Sequence, residues 1–302
     1  MEIIEILIPV FLVFGLGALS VALKIFKSTD SYIFTRYVFY FGFPILIFNR
    51  LNHTAFEKVA DLPFLLTNIL NLSAVVLLIL AISWLFKCKR KFIGMLVVAG
   101  IFGNVAYMGL PMSELMFGSE GVGYASIIVG LVVVFSLSVG ISFLEYFSSS
   151  KPSVKTVAWS IAKNPIVIGI VLGLIASAVK LEMPTPIENF LVIVAKSAGP
   201  VALFAIGMFL VGGKIAKDKK KIAILCLVNL LALPFVTFGI GTYLGLSGMI
   251  LKVSILQSAM PLAATNFVLA QKYKIGEDII SSAIVVSTLL SIVTIGLVMW
   301  LF

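Results

Sequence analysis

The sequence predicts an all-α polytopic membrane protein: ten transmembrane helices arranged as two inverted five-helix repeats, with helices four and nine broken and crossing. Composition is the first observation. Mean hydropathy is +1.18, and 61% of the 302 residues are apolar against 12% charged, where a soluble domain carries roughly 25% charged residues. The second is that ten apolar stretches approach the about twenty residues needed to cross a hydrocarbon core of about 30 Å. The third is a pair of helix-breaking interruptions, Phe102-Gly103-Asn104-Val105-Ala106-Tyr107-Met108-Gly109-Leu110-Pro111 and Met260-Pro261-Leu262-Ala263-Ala264-Thr265-Asn266. Backbone groups freed at bilayer depth are tolerated only where protein or a water-filled cavity satisfies them, so matched breaks point to a transport site.

In chain order the spans are residues 3–23, 32–48, 62–86, 92–117, 122–146, 157–179, 187–211, 222–246, 249–271 and 279–302. The opening Met1-Glu2-Ile3-Ile4-Glu5 has no positive n-region, and no small-residue cleavage site precedes the second span, so the first helix is expected to be retained. The fourth and ninth spans carry the breaks. Between the fifth and sixth, Phe147-Ser148-Ser149-Ser150-Lys151-Pro152-Ser153 reads as a short polar turn. It divides a first repeat, 1–147, from a second, 157–302, through a linker at 148–156.

The distribution of the +9 net charge matters more than its sum. Lys24, Lys27, Lys87, Lys89, Arg90, Lys91, Lys151, Lys155, Lys214, Lys217, Lys219, Lys220, Lys221, Lys272 and Lys274 fall in the odd-numbered loops, whereas the even loops hold little beyond Arg50, Lys58 and Lys180. The positive-inside rule then puts the odd loops in the cytoplasm and both termini outside the cell. Orientation explains the Lys-rich runs more cheaply than a lipid-headgroup or nucleotide site, and nucleic acid is not expected as a partner. Cys88 and Cys226 offer neither a disulfide framework nor metal-ligand spacing.

The halves read as copies of one unit. At an offset of 156, Pro9 falls on Pro165, Gly17 on Gly173, Lys24 on Lys180 and Pro44 on Pro200; at 158, Gly103-Asn104 falls on Pro261-Leu262. Five spans per unit is odd, so the second unit must be inverted.

In this topology each break starts a second half-helix whose amino terminus lies near the midplane. Such an end carries roughly half a positive charge and free N–H donors, which favours a carboxylate or other anion. Asn104 and Asn266 can add amide groups, Thr265 and Tyr107 hydroxyls; Asn and Thr also cap frayed helix ends, so that reading stands beside the first. Lys196 is the deepest cation, nine residues past Ile187 and so roughly 14 Å into the core. A cation at a helix centre costs about 2.5 to 3.5 kcal/mol. No acidic residue lies at matching depth, which leaves backbone carbonyls preceding Pro200 or a substrate anion as its partner. Arg36 lies about a turn from the start of its span, where it can snorkel to headgroups. Gln257 and Ser258 are either cation ligands or interhelical hydrogen-bond partners, and Glu114 and Glu145 fall near helix ends.

Enzymatic readings find no support. His53 is the sole histidine and falls in an extracellular loop, which removes a Ser-His dyad or a His metal site within the membrane. An Asp-rich diphosphate site and a Gly-rich phosphate loop are also missing.

Gly103-Asn104-Val105-Ala106-Tyr107-Met108-Gly109-Leu110-Pro111 resembles the Gly-Asn-x-x-Phe-x-Gly-Leu-Pro motif of the auxin efflux carrier family. Ala259 through Asn266, with Ala270-Gln271-Lys272-Tyr273, resembles its second crossover. The likeness continues through Thr35-Arg36-Tyr37, Phe43-Pro44, Ser197-Ala198-Gly199-Pro200 and Ala205-Ile206-Gly207. The resemblance implies a fold similar to that of sodium/bile-acid symporters. Helices 1, 2, 6 and 7 would form a scaffold, helices 3–5 and 8–10 a transport domain, and the motion would be elevator-like. It places the crossover asparagine on Asn104, the crossover proline on Pro261 and a basic scaffold residue on Arg36. The plant carriers have proline where this chain has Gly103, and a long hydrophilic central loop where it has Ser148 to Lys155, so a small carboxylate is expected rather than auxin.

The expected function is thus secondary transport of a small organic anion across the plasma membrane. The expected site is Gly103, Asn104, Tyr107, Pro111, Pro261, Leu262, Thr265 and Asn266, with Arg36, Lys196 and Gln257 for charge or coupling. Two alternatives stay open: a sodium- or proton-coupled carrier of a cation or neutral solute, and a non-transporting receptor or scaffold. No cofactor or metal is expected beyond a coupling Na+ or H+, and the expected partners are the substrate anion and lipids, with a homodimer left open.

Overall fold

The computed structural model describes residues 2–54, 61–147, 154–211, 216 and 218–302. Most of the predicted linker, residues 148–153, lies outside them. Among the described residues the secondary structure is helical throughout, apart from one isolated bridge between Gly103 and Leu262. Six helical stretches are long and apolar enough to cross a membrane: Ser28–Asn52, Leu62–Leu85, Val105–Leu144, which non-helical backbone at Gly118 (φ 64°) interrupts, Thr185–Val211, Lys219–Tyr243 and Glu277–Leu301. Four shorter apolar helices, Ile8–Ala22, Phe92–Ile101, Pro165–Ala178 and Gly248–Ser258, accompany them. The outward stripe of the first helix, Ile8, Leu12, Leu16 and Leu19, is exposed and wholly apolar, as suits a lipid solvent and not water. The protein is a multi-pass membrane protein.

Three of the long helices contain five-residue π turns; of the four such turns among the described residues, three end just before an X-Pro pair, and Ser136–Gly140 does not. Val38–Gly42 precedes Phe43-Pro44, Val105–Gly109 precedes Leu110-Pro111, and Val228–Ala232 precedes Leu233-Pro234. Proline has no N–H for the carbonyl four residues back and its ring presses on that carbonyl, so the turn widens and the helix continues without breaking. The predicted span 157–179 divides into Val154–Ala162 and Pro165–Ala178. Asn164 caps the second piece by accepting from the Ile166 N–H at 2.9 Å, with Pro165 at the first helical position, a start signal hidden inside an apolar run.

The chain forms two compact units, neither continuous in sequence. One comprises Met1–Asp61, Ala106–Gly130 and Ala162–Gly213; the other Leu62–Val105, Leu131–Ile161 and Lys214–Phe302.

The first unit is built on close backbone approaches at glycine. A Cβ on Gly17 would overlap the Phe204 carbonyl, and one on Gly207 the Phe14 carbonyl. Likewise Gly169 lies on the backbone of Pro44 and Gly173 on that of Phe48. Small residues at such crossings let helix backbones meet, which is the source of van der Waals energy where lipid removes the hydrophobic drive. The Gly17–Phe204 and Gly173–Phe48 contacts join positions that are 156 residues apart in both members. Hydrogen bonds Tyr37 Oη to Ser197 Oγ (2.7 Å) and Asn49 Nδ2 to Glu188 Oε1 (2.9 Å) run in opposite order along the two segments, so Ser28–Asn52 and Thr185–Val211 are antiparallel.

Helix ends repeat the same spacing. Lys24 and Lys180, 156 apart, both adopt the left-handed conformation. Each is followed by an N–H that reaches back to close the end, Ile25 to Ser20 O and Leu181 to Ala176 O. In the second unit Lys87 and Gly245, 158 apart, do the same, with Cys88 to Ser83 O and Leu246 to Gly241 O.

Candidate functional site

Both predicted breaks exist, and within the second unit they pair with each other. The helix Arg90–Ile101 stops at Phe102 and Gly248–Ser258 stops at Ala259. The freed backbone groups form a minimal antiparallel ladder: Asn104 N–H donates to Pro261 O (2.7 Å) and Ala263 N–H to Phe102 O (3.0 Å), flanking the Gly103–Leu262 bridge. Side chains complete it. Asn266 Nδ2 donates to Phe102 O at 2.9 Å, and Ser287 Oγ accepts from the Leu262 N–H at 3.2 Å. Asn229 Nδ2 donates to Ala99 O at 2.9 Å, near the end of the first half-helix. A break in the bilayer is thereby satisfied almost wholly by protein.

Some polar capacity is left over. Asn266 Oδ1 and Asn229 Oδ1 are buried and accept nothing, and Asn266 lines a cavity of about 10 Å³ with Ala99, Met95 and Ala270. Among the described residues, the Asn104 side chain, buried to 5% exposure, makes no hydrogen bond. At the start of Thr265–Tyr273, Ala264 and Thr265 are exposed and no side chain caps the helix, which leaves N–H donors where the helix dipole favours an anion. Gln257 is fully buried one residue before the end of Gly248–Ser258. A Cβ on Gly103 would meet only ordinary contacts, the nearest being Met260 O at 3.6 Å.

The remaining predicted residues lie in the first unit. Tyr107 donates to the Thr35 carbonyl (3.3 Å) and packs edge-on against Phe43. Pro111 is buried beside Gly199, within 3.5 Å of where a Cβ would stand. Arg36 lies over the rings of Tyr32 and Tyr40, at 5.6 and 5.9 Å from their centroids. Lys196 is exposed, next to the Ser197 that bonds Tyr37. The motif Thr35-Arg36-Tyr37 therefore touches both Tyr107 and the Ser197-Ala198-Gly199-Pro200 segment. A cleft of about 700 Å³ in this unit, lined by His53, Lys180, Glu182 and Glu188 among others, contains none of the predicted site residues.

Sequence reasoning missed Asn229, Asn71 and Ser287, and gave Glu114, which pairs with Arg50, no partner. Asn71 and Asn229 stand 158 residues apart, the offset that aligns the breaks; both are buried and both keep an unbonded Oδ1. That coincidence was the available signal.

Broken apolar helices whose backbones satisfy each other, with uncommitted amides beside them, are the arrangement of a membrane transport site. The chain matches the family described as "Membrane transport protein" over residues 2–299, and it belongs to that family, which includes the auxin efflux carriers. A Rhizobium meliloti protein named "Putative malonate transporter" is 26% identical across 97% of this chain and 94% of its own length. The rice "Probable auxin efflux carrier component 5a" is 33% identical over 47% of this chain and 42% of its own length. An Escherichia coli protein, "Uncharacterized transporter YfdV", is 24% identical over 98% of this chain and 96% of its own.

Proposed function

We propose that the protein is a secondary transporter of a small organic anion, and that it binds a carboxylate at the crossover between Asn104 and the first turn of Thr265–Tyr273. The observation that carries this reading is the unused donor capacity at the backbone crossing: the buried Asn104 amide, which makes no hydrogen bond among the described residues, and the uncapped N–H groups at Ala264 and Thr265. An anion gains most from such donors where water is excluded. The relative named a malonate transporter supports a carboxylate cargo.

The recurrence of helix ends and glycine contacts at offsets of 156 and 158 supports two copies of one five-helix unit. The antiparallel course of the second and seventh spans, which that repeat makes equivalent, supports inversion. Ten spans with both termini outside the cell, in the plasma membrane, follow from that repeat and from the Lys-rich odd loops. Elevator-type alternating access, with the crossover on the moving part, completes the reading.

Thermal unfolding of detergent-purified protein tests the cargo class, because a ligand that binds only the folded state must stabilise it. Mono- and dicarboxylates, indole-3-acetate, bile acids and neutral analogues are each compared in sodium and in potassium. A carboxylate-selective shift that disappears in Asn104→Ala supports the site; a shift from sodium alone would transfer the case to a cation carrier.

A further inference from the structure

Two helix ends in the second unit share a backbone course and differ in what fills them. The chain turns through the left-handed conformation at Lys87 and at Gly245, 158 residues apart, with the Cys88 N–H closing on Ser83 O and the Leu246 N–H on Gly241 O. At the second end the space over Gly241 is occupied. Leu246 and Leu251 are buried there, and a Cβ on Gly241 would stand 2.6 Å from Leu251 Cδ1. At the first end the same offset puts Ser83, Cys88 and Ile93 in the places of Gly241, Leu246 and Leu251. Cys88 and Ile93 are only half-buried, and with Leu80, Trp84 and Lys87 they line a cavity of about 480 Å³. Ser83 lines it too. Its hydroxyl, on a residue only 2% exposed, has no hydrogen-bond partner, so a donor stands ready for an acceptor that enters the cavity.

Charge and depth decide what enters. Residues 62–113 include no Asp or Glu, and their cations, Lys87, Lys89, Arg90 and Lys91, fall together at this helix end. Lys87 and Lys89 are exposed, and among the described residues neither joins a salt bridge. Lys221 Nζ lies 5.0 Å from the ring centroid of Phe92, the neighbour of Ile93, which brings the start of Lys219–Leu227 and its lysines to the same end. Orientation in the membrane accounts for lysines in a loop, but not for a cavity with a buried donor beside them. The helix Leu62–Leu85 has 24 residues, about 36 Å of length against a hydrocarbon core of about 30 Å, so its end emerges among headgroups. Trp84, Leu85 and Phe86 are exposed there, as an apolar and aromatic collar at that level. A soluble anion would engage the lysines alone, whereas a phospholipid engages lysines and collar together.

We propose that this cavity is a binding site for an anionic phospholipid. Lys87 holds the phosphate, Lys89 adds to the field, a phosphate oxygen accepts from Ser83, and the acyl chains run along Trp84 and Leu85. Basic pockets beside transmembrane helices take such headgroups. The site lies wholly within the second unit and does not depend on which cargo the crossover binds.

Cys88 reports its occupancy. The full chain, purified in a neutral detergent, is treated with N-ethylmaleimide, and peptide mass spectrometry follows alkylation of Cys88 separately from that of the buried Cys226. Phosphatidylglycerol, phosphatidylcholine and glycerol 3-phosphate are titrated in turn, and phosphatidylglycerol alone is expected to slow the reaction. Lys87→Gln should raise the phosphatidylglycerol needed for half protection about fivefold, the loss typical of one lysine near an anionic surface. Ser83→Ala should raise it about tenfold, as for one hydrogen bond to a charged group, although it changes no charge on protein or micelle. Half protection unmoved by Ser83→Ala would reduce the effect to surface charge and overturn the proposal. So would equal protection by phosphatidylcholine, protection by glycerol 3-phosphate, no effect of Lys87→Gln, or no protection at all.

Discussion

The N–H of Asn104 donates to the carbonyl of Pro261 at 2.7 Å, joining the two segments of the second unit where a membrane helix stops. Through that bond and its mate, Ala263 to Phe102, each break supplies what the other lacks. The structural load therefore falls on backbone atoms, and the Asn104 side chain is left for another purpose. Phe102 O accepts from both Ala263 N–H and Asn266 Nδ2, so Asn266→Ala should cost only about 1 kcal/mol. Thermal unfolding in detergent would measure it, and a loss of several times that size would mean Asn266 is a structural linchpin.

The two asparagines 158 residues apart should behave differently. Asn229→Leu strips a buried carbonyl, Ala99 O, of its side-chain donor and is expected to destabilise the fold by about 1 to 3 kcal/mol. Asn71 has no described hydrogen bond, so Asn71→Leu should leave the unfolding temperature unchanged or raise it. If Asn71→Leu also abolishes transport, its role is in function and not in stability.

Glycines divide in the same way. Gly17→Val must push a side chain into the Phe204 carbonyl, and the separation it forces should cost about 1 to 3 kcal/mol or more. Gly103→Ala meets nothing closer than 3.6 Å, so folded yield and unfolding temperature should match the wild type. Equal damage from the two would contradict the packing described here.

Much of this was legible beforehand. Long apolar runs gave the polytopic helical class and the six helices long enough to cross a membrane, and Gly103-Asn104 and Pro261 marked both breaks. The π turns before Pro44, Pro111 and Pro234 were not legible, because proline's missing N–H is as compatible with a kink or a stop as with a widened turn. The stop before Asn164 was hidden because apolarity, which sets span length, does not register a cap. Asn229 was passed over because one amide in an apolar helix looks like any interhelical contact until the carbonyl it serves is known.

One acid response follows from charge. Asp218, at the start of Lys219–Leu227, has its carboxyl held below the usual carboxylate range, mainly by the hydrogen bond from Lys221. A lowered folded-state value stabilises above the unfolded carboxylate pKa of about 3.9 and is lost as pH falls through the folded value. Amide exchange in the first turn of this helix should therefore rise, relative to the rest of the helix, only below about pH 4. Asp218→Asn should remove that dependence, and an equal acid response in Asp218→Asn would assign it elsewhere.

The most direct test of the account is carboxylate flux into proteoliposomes by the wild type and by Asn104→Ala at matched, folded protein density. The Asn104 side chain makes no hydrogen bond that holds the fold, so the variant should unfold within about 1 kcal/mol of the wild type and yet carry no carboxylate. Full flux in a folded Asn104→Ala protein would contradict the placement of the anion at the crossover.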